Sequence, residues 1–347
     1  MKAQKHWRQL AAALTLALLV AGAFAVQRVY AGGGQRSFAF TYEVHVPGDG
    51  DGHHRSRMWI PLPQSDEHQG IRKLSIESVV AYKEGKEGEY GNAYAEFSPT
   101  AEQAASGYDV ALKFEVTRQE FARDVSSTKV LAKNVAAPES AAMLRRYLEP
   151  DKMVPLNARI AELAKEQTAG ATEPIAKARR IYDYVASTMR YDKSGEGWGR
   201  GDEMWACDSK RGNCTDFHSV LIGMMRSSGI PARFEIGIPL PQGKTEGDIP
   251  GYHCWAEFYL DGIGWVPVDA SEASKNPAKR DYFFGAVDAD RVRFTYGRDI
   301  RLSAEQKGEP LNFFIYPYAE SNGQPVKNVT THFAFRDFGS AAASSGR

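Results

Sequence analysis

The sequence predicts an α+β protein in which a β-rich, sandwich-like domain precedes a domain of helices packed on an antiparallel sheet. Three patterns predict it. Phe38, Phe40, Tyr42, Val44 and Val46 alternate in strict period two, as a strand with one buried face must. Ile175, Ala178, Ile181, Tyr182, Val185 and Met189 recur at helical spacing and give an apolar stripe. Residues 252–260 and 264–269 are apolar runs joined by the tight turn 261–263, which makes them an antiparallel hairpin.

The strand at 35–46 ends in the polar, Gly-rich turn 47–52, and further strands are expected at 57–62, 71–82, 90–97 and 108–121. Short strands at regular spacing with turn signals between them are the pattern of a sandwich. The register changes near Ala137. Helices are expected at 138–148 and 158–167, and a stronger one begins at Pro174, a good first helical residue. After the Gly-rich loop 193–201 comes a helix whose stripe is Phe217, Val220, Leu221 and Met224, stopped by Gly229 and Pro231. A strand at 232–238 and the hairpin follow, then strand-like runs at 291–296 and 312–318, and a run at 331–335 that could return to either sheet. The expected boundaries are 1–31 for a leader, 32–136 for the β-rich domain, 137–320 for the helical domain, and 321–347 for a final strand and frayed tail.

Of the 347 residues, 43 are basic and 43 acidic, so no net field gathers nucleic acid or an anionic membrane. The leader reads as a signal peptide: Lys2, Lys5 and Arg8 precede an uncharged apolar run at 10–26, and Ala23 and Ala25 suit cleavage. Uncleaved, that run is at the lower limit for an N-terminal anchor. The mature chain is therefore expected to be exported, periplasmic or extracellular, and to touch a membrane only if the leader stays. Three cysteines, Cys207, Cys214 and Cys254, are too few and too odd in number for a disulfide scaffold. A Cys207–Cys254 bond, a Cys207–Cys214 bond and three free thiols all remain open.

Chemistry concentrates at Arg211-Gly212-Asn213-Cys214-Thr215-Asp216-Phe217. Cys214 falls in the first turn of its helix, where unpaired N–H groups and the positive end of the dipole favour thiolate. Thiol-based acyl transfer also needs a base and a group that fixes the base's tautomer. The hairpin supplies both: His253 starts its first strand and Asp269 ends its second, so antiparallel pairing makes them neighbours. Cys254 is expected to point away from them by strand alternation. Asp216 reads as a helix cap, and Trp255 and Glu257 as buried structural residues on the face of His253. The oxyanion would be held by the Cys214 N–H and one upstream donor, with Trp198 the residue chosen over Trp205 and Tyr191.

These residues resemble the transglutaminase-like superfamily of papain-related cysteine enzymes. The resemblance covers roughly residues 180–271: a Gly-x-Cys opening a helix, Gly229-Ile230-Pro231-Ala232-Arg233 after it, His253-x-Trp255, and Gly264-Trp265-Val266-Pro267-Val268-Asp269. It implies a papain-like core with Cys214 as nucleophile, His253 as base then acid, and Asp269 orienting the imidazole. It further implies attack on a carboxamide or peptide bond of a protein or peptide substrate through an acyl-thioester, without cofactor or metal. The acyl group then passes to an amine, as in a transglutaminase, or to water, as in a peptidase or amidase. A different class of reading is an inert binding or assembly module. A zinc site from Cys207, Cys214, His218 and His253 lacks the tight ligand spacing such sites use, and Asp49-Gly50-Asp51-Gly52 lacks the acidic twelfth position of a calcium loop, which is Ile60. Asn328-Val329-Thr330 fits a glycosylation acceptor.

Overall fold

The first strand runs unbroken from Gln35 to Pro47 (β1) and buries the five residues that alternate in the sequence. The computed structural model describes residues 34–50, 56–125 and 139–338. The leader at 1–31, the end of the 47–52 turn and the C-terminal tail lie outside the described residues. From Gln35 onward the chain forms one compact unit.

After β1 come β2 (Ser56–Pro61), β3 (Gln69–Ser78), β4 (Tyr82–Lys86), β5 (Ala93–Phe97), α1 (Ala101–Ser106), β6 (Gly107–Gln119) and β7 (Phe121–Ala122). The helical part follows with α2 (Ala141–Arg146), α3 (Ala158–Gln167), α4 (Pro174–Thr188), β8 (Arg190–Tyr191), α5 (Glu203–Ser209), β9 (Arg211–Gly212) and α6 (Cys214–Ser227). Strands β10 (Ala232–Pro239), β11 (Glu246–Ile249), β12 (His253–Leu260) and β13 (Gly264–Val268) lead to α7 (Ala270–Lys275). The last pieces are β14 (Ala286–Val287), β15 (Arg291–Tyr296), β16 (Tyr318–Ser321), β17 (Gln324–Pro325) and β18 (Thr330–Asp337).

Two five-stranded sheets, in order β11-β18-β1-β6-β3 and β17-β16-β2-β5-β4, make the β-rich part. A third sheet, β13-β12-β10-β15, carries the helices. The parts interlock through aromatic rings: Phe294 of β15 meets Phe40 at 6.2 Å, Tyr42 at 6.0 Å and Phe114 at 6.1 Å. At the centre lies α6, buried from Cys214 to Arg226, as a helix surrounded on every side must be. Its C-terminal Arg226 bonds the Ala232 carbonyl at 3.0 Å and pairs with Asp151 at 2.7 Å, satisfying the negative end of the helix.

The run at 331–335 returns as β18 beside β1, in register from Phe38↔Asp337 to His45↔Thr330. Three expectations are corrected. Residues 312–318 form no strand up to Tyr318: the Phe314 carbonyl accepts from Thr295 Oγ1 at 2.5 Å, the Ile315 carbonyl from Tyr42 Oη at 3.0 Å, and Pro317 has no N–H to give. The strand expected from Tyr90 starts at Ala93, because the Glu87 carboxylate takes the N–H groups of Glu89, Tyr90 and Asn92 and closes a turn. The strand expected at 71–82 ends at Ser78 as β3, and a separate strand, β4, begins at Tyr82. Residues 246–249 form β11, which pairs with β18.

One buried acid sets a pH dependence. Glu203, 0% exposed at the start of α5, lies under Gly223 of α6, where an added Cβ would sit 1.5 Å from its Oε1. Burial pushes its carboxyl up to about 8, against the smaller opposing effects of the Leu156 N–H, Arg226 and Arg298. Between pH 5 and 8 the unfolded chain has released this proton and the folded chain holds it, so stability falls as pH rises. Glu203→Gln, neutral throughout, is expected to be more stable than the parent by on the order of 2 kcal/mol at pH 8 and equal to it at pH 5. Urea titrations at the two pH values check this.

Candidate active site

The start of α6 is built by a reciprocal cap. Asn213 accepts the Thr215 N–H at 3.0 Å, and Asp216 accepts the Asn213 N–H at 2.9 Å. Asp216 is thus the expected cap, and it does more: its carboxylate also takes the N–H groups of Gly199 at 2.7 Å and Gly201 at 3.0 Å, tying the Gly-rich loop to the helix. Gly212 has φ +145°, and a Cβ there would lie 2.2 Å from Asp216 Oδ2. Only glycine fits this approach.

The cap leaves Cys214 as the first residue of α6, 1% exposed. His253 opens β12, and Asp269 follows β13, brought alongside by the register Ala256↔Val268. His253 Nε2 lies 2.7 Å from Asp269 Oδ2, and the Cys214 thiol is close enough to act on the charge of the imidazole. Asp269 is 0% exposed and fully engaged. Its Oδ1 accepts from Ser271 Oγ and from the Glu272 N–H, both at 3.0 Å, which caps α7, and Arg291 Nη1 stands 3.4 Å from Oδ2.

These neighbours decide where the proton sits. Burial alone would raise the Cys214 thiol, but hydrogen bonds from Cys254 and His253 and the charge of His253 outweigh it and hold the thiol well below its ordinary value. Burial would lower His253, but the Asp269 charge and hydrogen bond, together with Cys214, carry it up to about 10. Asp269 is held far below the carboxylate range: burial opposes this, and the charge and hydrogen bond of His253 prevail. Both shifts run in the direction of a thiolate–imidazolium pair.

Cys254 does not point away. Its Sγ lies 3.7 Å from His218 Nδ1, near enough to Cys214 for each thiol to shift the other's pKa. Alternation does send it to the face opposite His253, but that face is covered by α6, whose first turn carries Cys214. His253 reaches the same sulfur around the strand's start. All three cysteines are free and buried.

Other residues come from beyond the sequence motifs. His218, one turn after Cys214, spends Nδ1 on the Cys214 carbonyl at 2.8 Å and stands 3.7 Å from Asp269 through Nε2. Tyr252 accepts from Asn213 Nδ2 at 3.0 Å, and Tyr316 packs edge-on against it at 5.8 Å. The Trp198 indole N–H, chosen from sequence as the second oxyanion donor, is donated to the Gly195 carbonyl at 3.0 Å. Trp205 lies against Gly197 and under Arg211, and Tyr191 lies under Lys275 at 4.7 Å. Trp255 and Glu257 are buried; Glu257 pairs with Arg233 at 2.5 Å, and Trp255 lies under Arg291 at 4.8 Å. Among the described residues no three His, Cys, Asp or Glu side chains converge as a metal site. No helix of those residues is long and apolar enough to cross a membrane.

Residues 161–270, from within α3 to the first residue of α7, match the family model of the transglutaminase-like superfamily. An uncharacterized protein of Haemophilus influenzae is 28% identical over 335 residues, which cover 84% of this chain and 87% of that protein. The uncharacterized protein YebA of Bacillus subtilis is 25% identical over 237 residues, 62% of this chain; the match spans only 31% of YebA. A candidate cysteine protease of Cytophaga hutchinsonii shares the fold, with a TM-score of 0.60 at 15% identity over 88% of this chain and 91% of that one.

Proposed function

We propose that this chain, a member of the transglutaminase-like superfamily through residues 161–270, is an exported thiol-dependent acyl-transfer enzyme acting on carboxamide or amide bonds of proteins or peptides. The observation that carries the proposal is a buried thiol at the first position of α6 whose pKa is lowered in part by a neighbouring imidazole, itself held at 2.7 Å by a buried carboxylate. Export rests on the leader at 1–31.

In this reading the Cys214 thiolate attacks the carbonyl carbon, and the negative charge gathers on the carbonyl oxygen at the positive end of α6. His253 gives its proton to the departing nitrogen, the C–N bond breaks, and an acyl-thioester remains. Asp269 keeps the imidazole oriented and charged until then. The neutral imidazole next takes a proton from the incoming amine or water, which attacks the thioester and releases the thiolate. Cys214 at 1% and His253 at 6% exposure are closed off, so side chains over the site must shift for a substrate to reach the sulfur.

The full mature chain is to be incubated with a glutamine-containing peptide and a primary amine, beside Cys214→Ala, and the products weighed by mass spectrometry. Amine incorporation, deamidation and backbone cleavage each give a distinct mass, and any of them, lost in the variant, supports the proposal and names the acceptor. A panel of peptides left unchanged by a parent chain whose thiol also reacts like an ordinary one refutes it and leaves the binding-module reading.

A further inference from the structure

On the reverse face of the catalytic sheet, between it and β6, lies a cavity of about 160 Å³ whose lining includes Arg118, Arg293, Asp66, His68, Glu235 and Tyr296. We propose that it is a binding site for one small oxyanion, of phosphate or carboxylate type, held by the guanidinium groups of Arg118 and Arg293. This site is separate from the Cys214 site and does not rest on the function proposed above.

The argument is one of pairing. Four guanidinium groups and four carboxyl groups line the cavity. Glu257 is paired with Arg233 at 2.5 Å, Asp66 with Arg293 at 2.7 Å, and Glu67 with Arg123 at 3.0 Å. Arg233 also stands 3.6 Å from Glu235, which leaves Arg118 as the lining guanidinium outside these ion pairs. Arg118 is 2% exposed, and its Nε has no hydrogen-bond partner; Arg293 Nη1 and Glu235 Oε1 are likewise buried without one. Glu235 makes its ion contact through Oε1 with Arg233 Nε, and not with Arg118. Burial and the neighbouring Arg291 and Arg293 charges depress Arg118 in spite of Asp66 and Glu235, as expected of a cation short of an anion.

A buried guanidinium without an acceptor is costly, and buried charges in folded proteins are paired. Here the missing acceptor faces open volume. The space equals about five waters at roughly 30 Å³ each, enough for one tetrahedral or planar oxyanion and too small for a nucleotide. Forked N–H donors from Arg118 suit such an ion. An occupant would bridge β6 of the β-rich part to β15, two residues beyond the Arg291 that contacts Asp269.

The test is binding to the full mature chain at constant ionic strength. Potassium phosphate, and separately acetate, replace chloride while the melting temperature is followed, and ³¹P line width reports phosphate directly. The expected result is a saturable rise of about 3–5 °C with at least one ion, absent in Arg118→Met and retained in Arg123→Ala, whose guanidinium is already paired. A response to phosphate alone assigns a phosphate-type ligand, and one to acetate assigns a carboxylate. No saturable shift or broadening with the parent chain, or an undiminished shift in a folded Arg118→Met, overturns the site. Should Arg118→Met not fold, the line width and its reversal by unlabelled competitor in the parent chain decide.

Discussion

In His253→Ala the pH at which Cys214 becomes alkylatable is expected to rise by several units, and turnover to fall on the order of 10³–10⁴-fold. The direction follows from what surrounds the sulfur. Burial works against the thiolate, and the imidazole supplies both a hydrogen bond and a positive charge against it. Without the imidazole only Cys254 and the helix terminus remain on the thiolate's side, and burial prevails. In the parent chain iodoacetamide should label Cys214 well below pH 8.5, the ordinary thiol range. The alkaline limb of the turnover profile should lie near 10, where His253 loses its proton. Rates of alkylation against pH, with the site of labelling read by peptide mapping, check both. Equal midpoints in the two proteins would dismiss the ion pair.

Asp269→Ala should combine the largest loss of stability with a comparable loss of activity. This carboxylate holds His253, faces Arg291 and caps α7, so removing it strips the buried His253 imidazole of its partner and leaves Arg291 with Asp288 alone, at about 3–5 kcal/mol. Asp269→Asn keeps the volume and part of the cap. It should lose less stability yet still fall about 10⁴-fold in turnover, because an amide does not fix the same imidazole tautomer. The pH signs differ for the two partners. Asp269 is depressed, so its contribution is present above about pH 4 and lost as pH falls. His253 is raised, so its contribution is full below about pH 6.5 and lost as pH climbs toward 10. Urea titrations of parent and Asp269→Asn across pH 3–10 should diverge most in the middle of that range.

What was legible in the sequence is what local chemistry and short-range pairing determine. The adjacency of His253 and Asp269 needs only a three-residue turn, and the placement of Cys214 needs only a cap at Asn213 and an apolar stripe behind it. Residues that arrive from afar left no such trace. Arg291 reaches Asp269 from β15, Tyr316 reaches Tyr252 from the segment after it, and β11 leaves its own loop to pair with β18. Cys254 shows a subtler limit: alternation assigns it a side correctly but says nothing of what covers that side. Residues 312–318 carry aromatic side chains as strands do, yet the Phe314 and Ile315 carbonyls are spent on Thr295 and Tyr42.

The pairing of β1 with β18 governs when the molecule can be finished. Partners such as Phe38 and Asp337 stand at opposite ends of the described chain, and β1 cannot be sealed on that side until the last strand has been synthesised. Closing so long a loop costs entropy that only the finished sheet repays, which makes this contact a late and slow one. A nascent chain halted before Thr330 would present β1 with an open edge and β11 without its partner, leaving the segment that delivers His253 untethered. Folding of this protein is therefore expected to complete only once Thr330–Asp337 is available to pair with β1.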